Sequence, residues 1–379
     1  VYKRQVLVNP SVGANFSGGA GSGGAIRMVA GSIENKGILE AKGGNASGMD
    51  PRESGAKFLS NSGGAGGGGR VALISDLLID QGKIFLDGGL SNGDGSGGNP
   101  GTLFVGPRTV GSPSSLSLSD GNLIFDTGGS WSHSSGLSGK GSITTHDFLA
   151  NGRRWGYSVC TFSFTDLTLG SGVNVTVRGE NSLRLQVDGN VSLSTHINLD
   201  GESGKQGIYS GRGGPGGWSS GRGLRNTDLF ANLHPALDGQ GPGGGRGYEI
   251  GKSTGGGSYG AAGSGGLNGG VSGIVYGDPS ISDLVGGSGG GHSIIGGGDA
   301  GGGGGAIGFV VGGSFTLEAN SSISANGGNG LSHPDGSGAG GSGGAIRIEA
   351  GSIQNLGSLE ARGGDAMGCS WSQVTTVRA

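Results

Sequence analysis

The stretch Gly21–Gly44 reads GSGGAIRMVAGSIENKGILEAKGG, and Gly341–Gly364 reads GSGGAIRIEAGSIQNLGSLEARGG. In each, apolar residues alternate with others over short runs: Ile26 and Met28, then Ile33, then Leu39 and Ala41. Alternation with a period of two marks a strand with one buried face, and no helical spacing is present. Glycine, or Asn35-Lys36-Gly37, separates the runs, where a chain must turn and positive φ is useful. Three short strands, tight corners and a closing Gly-Gly make one rung of a parallel β-solenoid. One rung cannot bury its apolar side alone, so stacked copies must supply the core. Ile26, Ile33 and Leu39 are expected to face inward, and Arg27 and Glu40 outward.

The cassette recurs. Aligned without a gap, Arg70–Gly89 (RVALISDLLIDQGKIFLDGG) sets Val71 on Ile26, Leu73 on Met28, Leu78 on Ile33 and Ile84 on Leu39. A third copy, Ala306–Gly328, carries about three extra residues, and a fourth is Ala345–Gly364. Gly21–Gly48 and Gly341–Gly368 agree at 20 of 28 positions, twelve of them not glycine, whereas neighbouring copies are much less alike. A unit of 320 residues (341 − 21) that recurs as a whole accounts for this. The chain then spans one period of a tandem array, and such an array would make a long fibre or stalk.

Composition narrows the alternatives. The chain has 379 residues, 98 of them glycine, with 32% hydrophobic residues. Ordinary domains carry roughly 7% glycine, and glycine loses the most backbone freedom on folding. A repetitive fold whose backbone pairing does most of the holding tolerates this. Ten prolines and no Gly-X-Y period exclude collagen. A net charge of −3 and no basic stripe argue against nucleic acid, and no run of apolar residues is long enough to span a membrane.

The expected organisation follows. Val1–Gln5 (VYKRQ) resembles a translated sequencing adapter and is read as an artefact. Residues 6–106 are glycine-rich solenoid rungs forming the tail of a preceding unit, and 107–157 an irregular β insertion or linker. Residues 158–203 are regular rungs: VNVTVRGENSLRLQVDGNVSLSTHINLDG (Val173–Gly201) alternates cleanly. Residues 204–305 are a glycine-rich loop region, either surface loops or extended polyglycine segments packed side by side with three residues per turn. Residues 306–368 are rungs again, and 369–379 a divergent tail.

The order Thr161–Gly201, GPGGGRG (Gly241–Gly247), YGDPSISDLVGGSGGG (Tyr276–Gly291), GGGGGAI and SISANGGNG (Ser322–Gly330) resembles glycine-rich modules of large secreted or cell-surface proteins, largely bacterial. The phrase SIENKGILEAKGG is similar to repeats of filamentous-haemagglutinin-type β-helical adhesins. The resemblance covers residues 160–365, with weaker pieces over 20–106. It implies an extracellular β-solenoid of structural or adhesive use, and offers no catalytic residues to carry over.

Catalytic signatures are accidental where glycine is this common. GGSGG around Ser288 matches G-x-S-x-G but lacks the strand–turn–helix and triad partners. Arg246–Ser253 (RGYEIGKS) lacks the first glycine of a phosphate loop. The six histidines, His133, His146, His196, His234, His292 and His333, have no metal-ligand spacing and read as solvated loop or corner residues. Ser91–Asn99 and His333–Gly338 place Asp and Asn in glycine turns where calcium is the candidate cation, though the repeating calcium pattern is absent. GRRWGY (Gly152–Tyr157) is a turn or a cation–π ligand patch. Asn15, Asn45, Asn174, Asn190 and Asn320 head N-x-[ST] sequons. Cys160 and Cys369 either pair or stay free.

The expectation is therefore an all-β, non-catalytic structural subunit of an extracellular fibre, stalk or surface layer. It needs no cofactor and associates with itself or continues a tandem array. The alternative is an adhesin whose glycine-rich loops face glycans or cell surfaces.

Overall fold

The computed structural model describes residues 19–47, 63–92, 95–104, 115–205, 210–222, 238–248, 253–266, 270–293, 299–332 and 337–366. They form strands, turns and extended glycine segments, with no helix among the described residues. The strands are β1 (Ala25–Asn35), β2 (Ile38–Glu40), β3 (Ala46–Ser47), β4 (Arg70–Asp80), β5 (Lys83–Phe85), β6 (Ser91–Asn92) and β7 (Thr102–Phe104). There follow β8 (Leu116–Asp126), β9 (Ser130–His133), β10 (Ser138–Lys140), β11 (Ser142–Ala150), β12 (Arg153–Phe164), β13 (Leu167–Arg178), β14 (Ser182–Val187), β15 (Val191–Leu193) and β16 (His196–Asn198). The last are β17 (Ala306–Val311), β18 (Ser314–Leu317), β19 (Ser322–Ser324), β20 (Ala345–Asn355) and β21 (Ser358–Glu360).

Three sheets hold them: one of 14 strands, one of five in the order β16-β19-β21-β2-β5, and the pair β3-β6. The fold is all-β, as expected, but the large sheet is mixed rather than uniformly parallel. Its antiparallel pairs are β8 with β9, β9 with β10, and β11 with β12. The cause is local turn chemistry. Asn151 and Gly152 both have positive φ (49° and 70°) between the paired residues Ala150 and Arg153. An Asn-Gly pair is the favoured two-residue hairpin loop, and it folds β12 back on β11. Of the segment expected to be irregular, the described residues 115–157 form regular strands, β8 to β11 and the start of β12. Strands are also longer than expected: β1 runs eleven residues across Gly31.

Register in the remaining pairs follows the cassette alignment. Val71, Leu73 and Leu78 lie on Ile26, Met28 and Ile33, and Ile84 lies on Leu39. The offset from the third copy to the fourth falls from 39 (Ala306 to Ala345) through 38 (Ser314 to Ser352) to 36 (Ser322 to Ser358), which locates its three extra residues at the two corners. Aligned apolar positions become columns. Cys160, Leu183, Ile307, Ile346, Ile26 and Val71 succeed one another across adjacent strands, each fully or almost fully buried. Each such aliphatic side chain contributes about 1.5–3 kcal/mol on burial.

The opposite face of β1 and β20 is covered too. Tyr259, Tyr276, Ile281 and Leu284 pack over Ala25, Ala306 and Ala345 as a second core. Arg27 is therefore half-buried instead of facing solvent as the alternation suggested.

The glycine segments are ordered by hydrogen bonds that change partner with each residue and return after three. From Gly19 to Gly24, the amides of Gly19 and Ser22 donate to Thr254 and Gly257, those of Ala20 and Gly23 to Gly64 and Gly67, and those of Gly21 and Gly24 to Gly364 and Ala361. The same rotation holds at Gly64–Gly69 and Gly301–Ala306. Only glycine permits this approach: a Cβ on Gly344 would lie 1.8 Å from the Gly305 carbonyl oxygen.

Candidate functional site

The strongest candidate is the contact between the two near-identical segments. β1 pairs with β20 in parallel, and every partner differs by 320 positions, from Ala25 on Ala345 to Asn35 on Asn355. β2 lies on β21 with the same offset. Seven of the ten β1–β20 pairs therefore join identical residues.

Polar groups reinforce the register. Asn355 Nδ2 donates to Asn35 Oδ1 at 3.4 Å, both residues fully buried. Arg362 Nη2 donates to Glu40 Oε2 at 2.5 Å, and the Asn45 amide to Asp365 Oδ1 at 2.7 Å. Glu349 sits between Arg27 and Arg347 and pairs with both, at 2.5 Å from Arg27 Nη1. Burial, then repulsion from Arg347, pulls the Arg27 pKa down, and Glu349 opposes both effects. The carboxylate is thus what permits two guanidinium groups to stack under the second core.

That core is clamped from within the stretch Tyr276–Gly291, which the sequence assigned to a resemblance and to no site. Tyr276 Oη donates to the Gly286 carbonyl and accepts from Ser288 Oγ. Asp278 accepts bonds from the amides and hydroxyls of Ser280 and Ser282. Burial would raise its carboxyl pKa, but these donors overcome that and hold it down to about 2. They also hold buried Ile281 at φ 52°, a conformation β-branched residues rarely adopt. The Asp-Pro-Ser-Ile-Ser phrase from Asp278 to Ser282 was the available signal, because Asp and Ser side chains bond nearby backbone in turns.

The positions singled out from sequence do not converge. Asn45, Asn174, Asn190 and Asn320 are exposed, while Asn15 lies outside the described residues. Asn174 Nδ2 donates to Asn122, and Asn190 Oδ1 accepts from the amide and hydroxyl of Ser314. Cys160 occupies an aliphatic column and is fully buried, and Cys369 lies outside the described residues. Ser288 is also fully buried, accepting from the Gly243 amide. His292 departs from the solvated reading: it is 1% exposed, with Nε2 2.7 Å from Asp299 Oδ1. His146 and His196 are exposed, and His133 is nearly buried against Ser135 and the Asp120 carbonyl. His234 and His333 lie outside the described residues. In GRRWGY the cation–π contact is internal, Arg153 lying 4.8 Å from the Trp155 ring centroid.

Of the two calcium candidates, Gly93, Asp94 and His333–Gly336 lie outside the described residues. Among the described residues no group of three His, Cys, Asp or Glu side chains could hold a metal ion, and no helix is long and apolar enough to cross a membrane.

A groove of about 1050 Å³ opens beside the glycine segments, lined by Tyr157, Arg178, Glu180, Glu202, Arg212 and Trp218 among others. No family model, no curated protein and no solved structure matches the chain.

Proposed function

We propose that this chain is a non-catalytic structural unit of an extracellular fibre, stalk or surface layer, built as a β-solenoid braced by three-fold polyglycine helices. The observation that carries the reading is the β1–β20 contact, where two segments 320 residues apart stack in register. A surface that accepts a copy of its own sequence is suited to repetition. The three-residue rotation of amide partners supports the polyglycine part, because an extended three-fold helix points successive amides in three directions. Exposed sequons at Asn45, Asn174, Asn190 and Asn320 suit an extracellular setting.

Sedimentation and electron microscopy of the full chain at rising concentration test this. End-to-end particles of constant width are expected; compact monomers alone at high concentration overturn it.

A second reading, an adhesin, rests on the groove. Tyr157 and Trp218 offer aromatic faces beside Arg178, Arg212, Glu180 and Glu202, a mixture suited to the apolar faces and hydroxyls of a glycan. Screening the chain and its Arg212→Ala variant against a glycan panel tests it, since Arg212 is exposed. Binding that is weakened in the variant supports this reading, and no binding removes it.

A further inference from the structure

The strands fall into two runs, each stacked in chain order. The first is β1, β4, β7. The second, read along one edge, is β8, β13, β15, β18, β20. The runs join by β1 on β20, so that the beginning of the chain sits on its end. Chain order is broken at one place only along this path, between β7 and β8.

That break is long. The path β7-β4-β1-β20-β18-β15-β13-β8 crosses seven strand-to-strand steps. At about 4.8 Å a step this is about 34 Å, before any displacement along the strands. Phe104 and Leu116 are twelve residues apart (116 − 104), and a chain reaches at most about 3.3–3.6 Å per residue, about 40 Å here. Seating the first run on its own β20 therefore uses most of the reach that twelve residues have. Connections in compact folds are ordinarily short and join neighbours.

We propose that the first run, β1, β4 and β7, seats on the β20 tier of a second copy of this chain, so that each copy lends its first run to the next. This deepens the fibre reading and rests on it. The contact used is the one already described: ten paired positions of β1 on β20, Asn35 on Asn355, Arg27 with Glu349 and Glu40 with Arg362. Every one of these is available between copies, because a second copy presents the same residues, and the connection then no longer has to span the whole second run of its own chain. Exchange of an identical element is a low-cost route to association. Because the lender need not be the borrower, the exchange is open-ended and produces chains of copies.

The test uses full-length chains in a Cys369→Ser background, since buried Cys160 is sheltered. One preparation carries Glu40→Cys and a differently tagged one carries Arg362→Cys, and the two are folded together and treated with a short bis-maleimide. A 40–362 link joining the two tags is expected, read by mass spectrometry of the peptides. A doubly substituted chain that links only within itself, with no link between singly substituted chains, overturns the proposal. In a second arm, ten Gly/Ser residues are inserted after Gly111. Slack lets the first run reach its own β20, so the monomer fraction should rise at least several-fold with an unchanged circular dichroism spectrum. An unchanged fraction counts against exchange. Filaments without an interchain link would sink the exchange and leave the fibre reading standing, whereas monomers with only the internal link sink both.

Discussion

Asn355 stacks on Asn35, 320 residues earlier in the chain, with Nδ2 3.4 Å from Oδ1 and both side chains shut away from water. Asn35 Oδ1 also accepts from the Gly37 amide at 3.2 Å, tying the ladder to the corner that follows β1. Removing Asn355 deletes this bond while Asn35 Oδ1 keeps the Gly37 amide, so the cost is that of one net hydrogen bond, about 0.5–1.5 kcal/mol. Asn355→Ala should lower stability by that amount in equilibrium denaturation. A change below about 0.5 kcal/mol would mean that the ladder does not hold the two segments.

Glu349 separates Arg27 from Arg347. Its side chain is 9% exposed, so Glu349→Gln removes the charge that balances two partly buried guanidinium groups. Breaking a buried pair from one side typically destabilises by about 3–5 kcal/mol. The loss should exceed that of Arg178→Ala, whose pair with Asp126 is largely exposed and worth at most about 1 kcal/mol. Equal losses in thermal unfolding would contradict the assignment.

The glycine segments predict a contrast. An added Cβ at Gly303 would lie 2.0 Å from the Gly287 carbonyl oxygen, backbone that cannot move alone. At Gly97 the nearest such atom is 3.8 Å away. Gly303→Ala should unfold the glycine lattice or block folding, since losses beyond about 4 kcal/mol come from overlaps of this kind, while Gly97→Ala should melt as the parent does. Comparable melting temperatures for both variants would show that the segments are not packed as described.

Cys160 takes an aliphatic seat between strands, and burial pushes its thiol up to about 11 from an ordinary value near 9. The unfolded thiol therefore ionises first, and above pH 9 the unfolded chain holds fewer protons than the folded one. Stability from this group is complete below pH 9 and declines as pH rises towards 11, by about 2–3 kcal/mol in all. Cys160→Val, which keeps the column apolar, should remove that part of the alkaline slope in urea titrations at pH 8, 9 and 10. An identical slope in parent and variant would refute the account.

Much of the fold was written locally. Alternation at Ile26, Met28, Ile33 and Leu39 identified strand faces, and the ungapped match to Val71, Leu73 and Ile84 is the register observed. In Val173–Gly201 the alternating apolar positions Val175, Leu183, Leu185, Val187, Val191, Leu193, Ile197 and Leu199 are buried, and Val177 is partly buried. The hairpin at Asn151-Gly152 is also written locally, in a residue pair suited to positive φ at both positions. The outer cover was not legible: alternation reports one buried face, and the partial burial of Arg27 goes with Tyr276, Ile281, Leu284 and Val285 packing back from about 250 positions later.

The sequence by itself determined that the chain is all-β, that its cassettes stack, and which side chains fill the columns. These follow from a two-residue period and from aligned repeats, both properties of neighbouring residues. Only the tertiary structure decided that the two copies 320 residues apart touch each other, that the large sheet turns antiparallel at its hairpins, and that glycine runs exchange amide bonds in threes. Each of those depends on which distant segment lies within hydrogen-bond reach, and for near-identical segments sequence specifies the match without specifying which chain provides it.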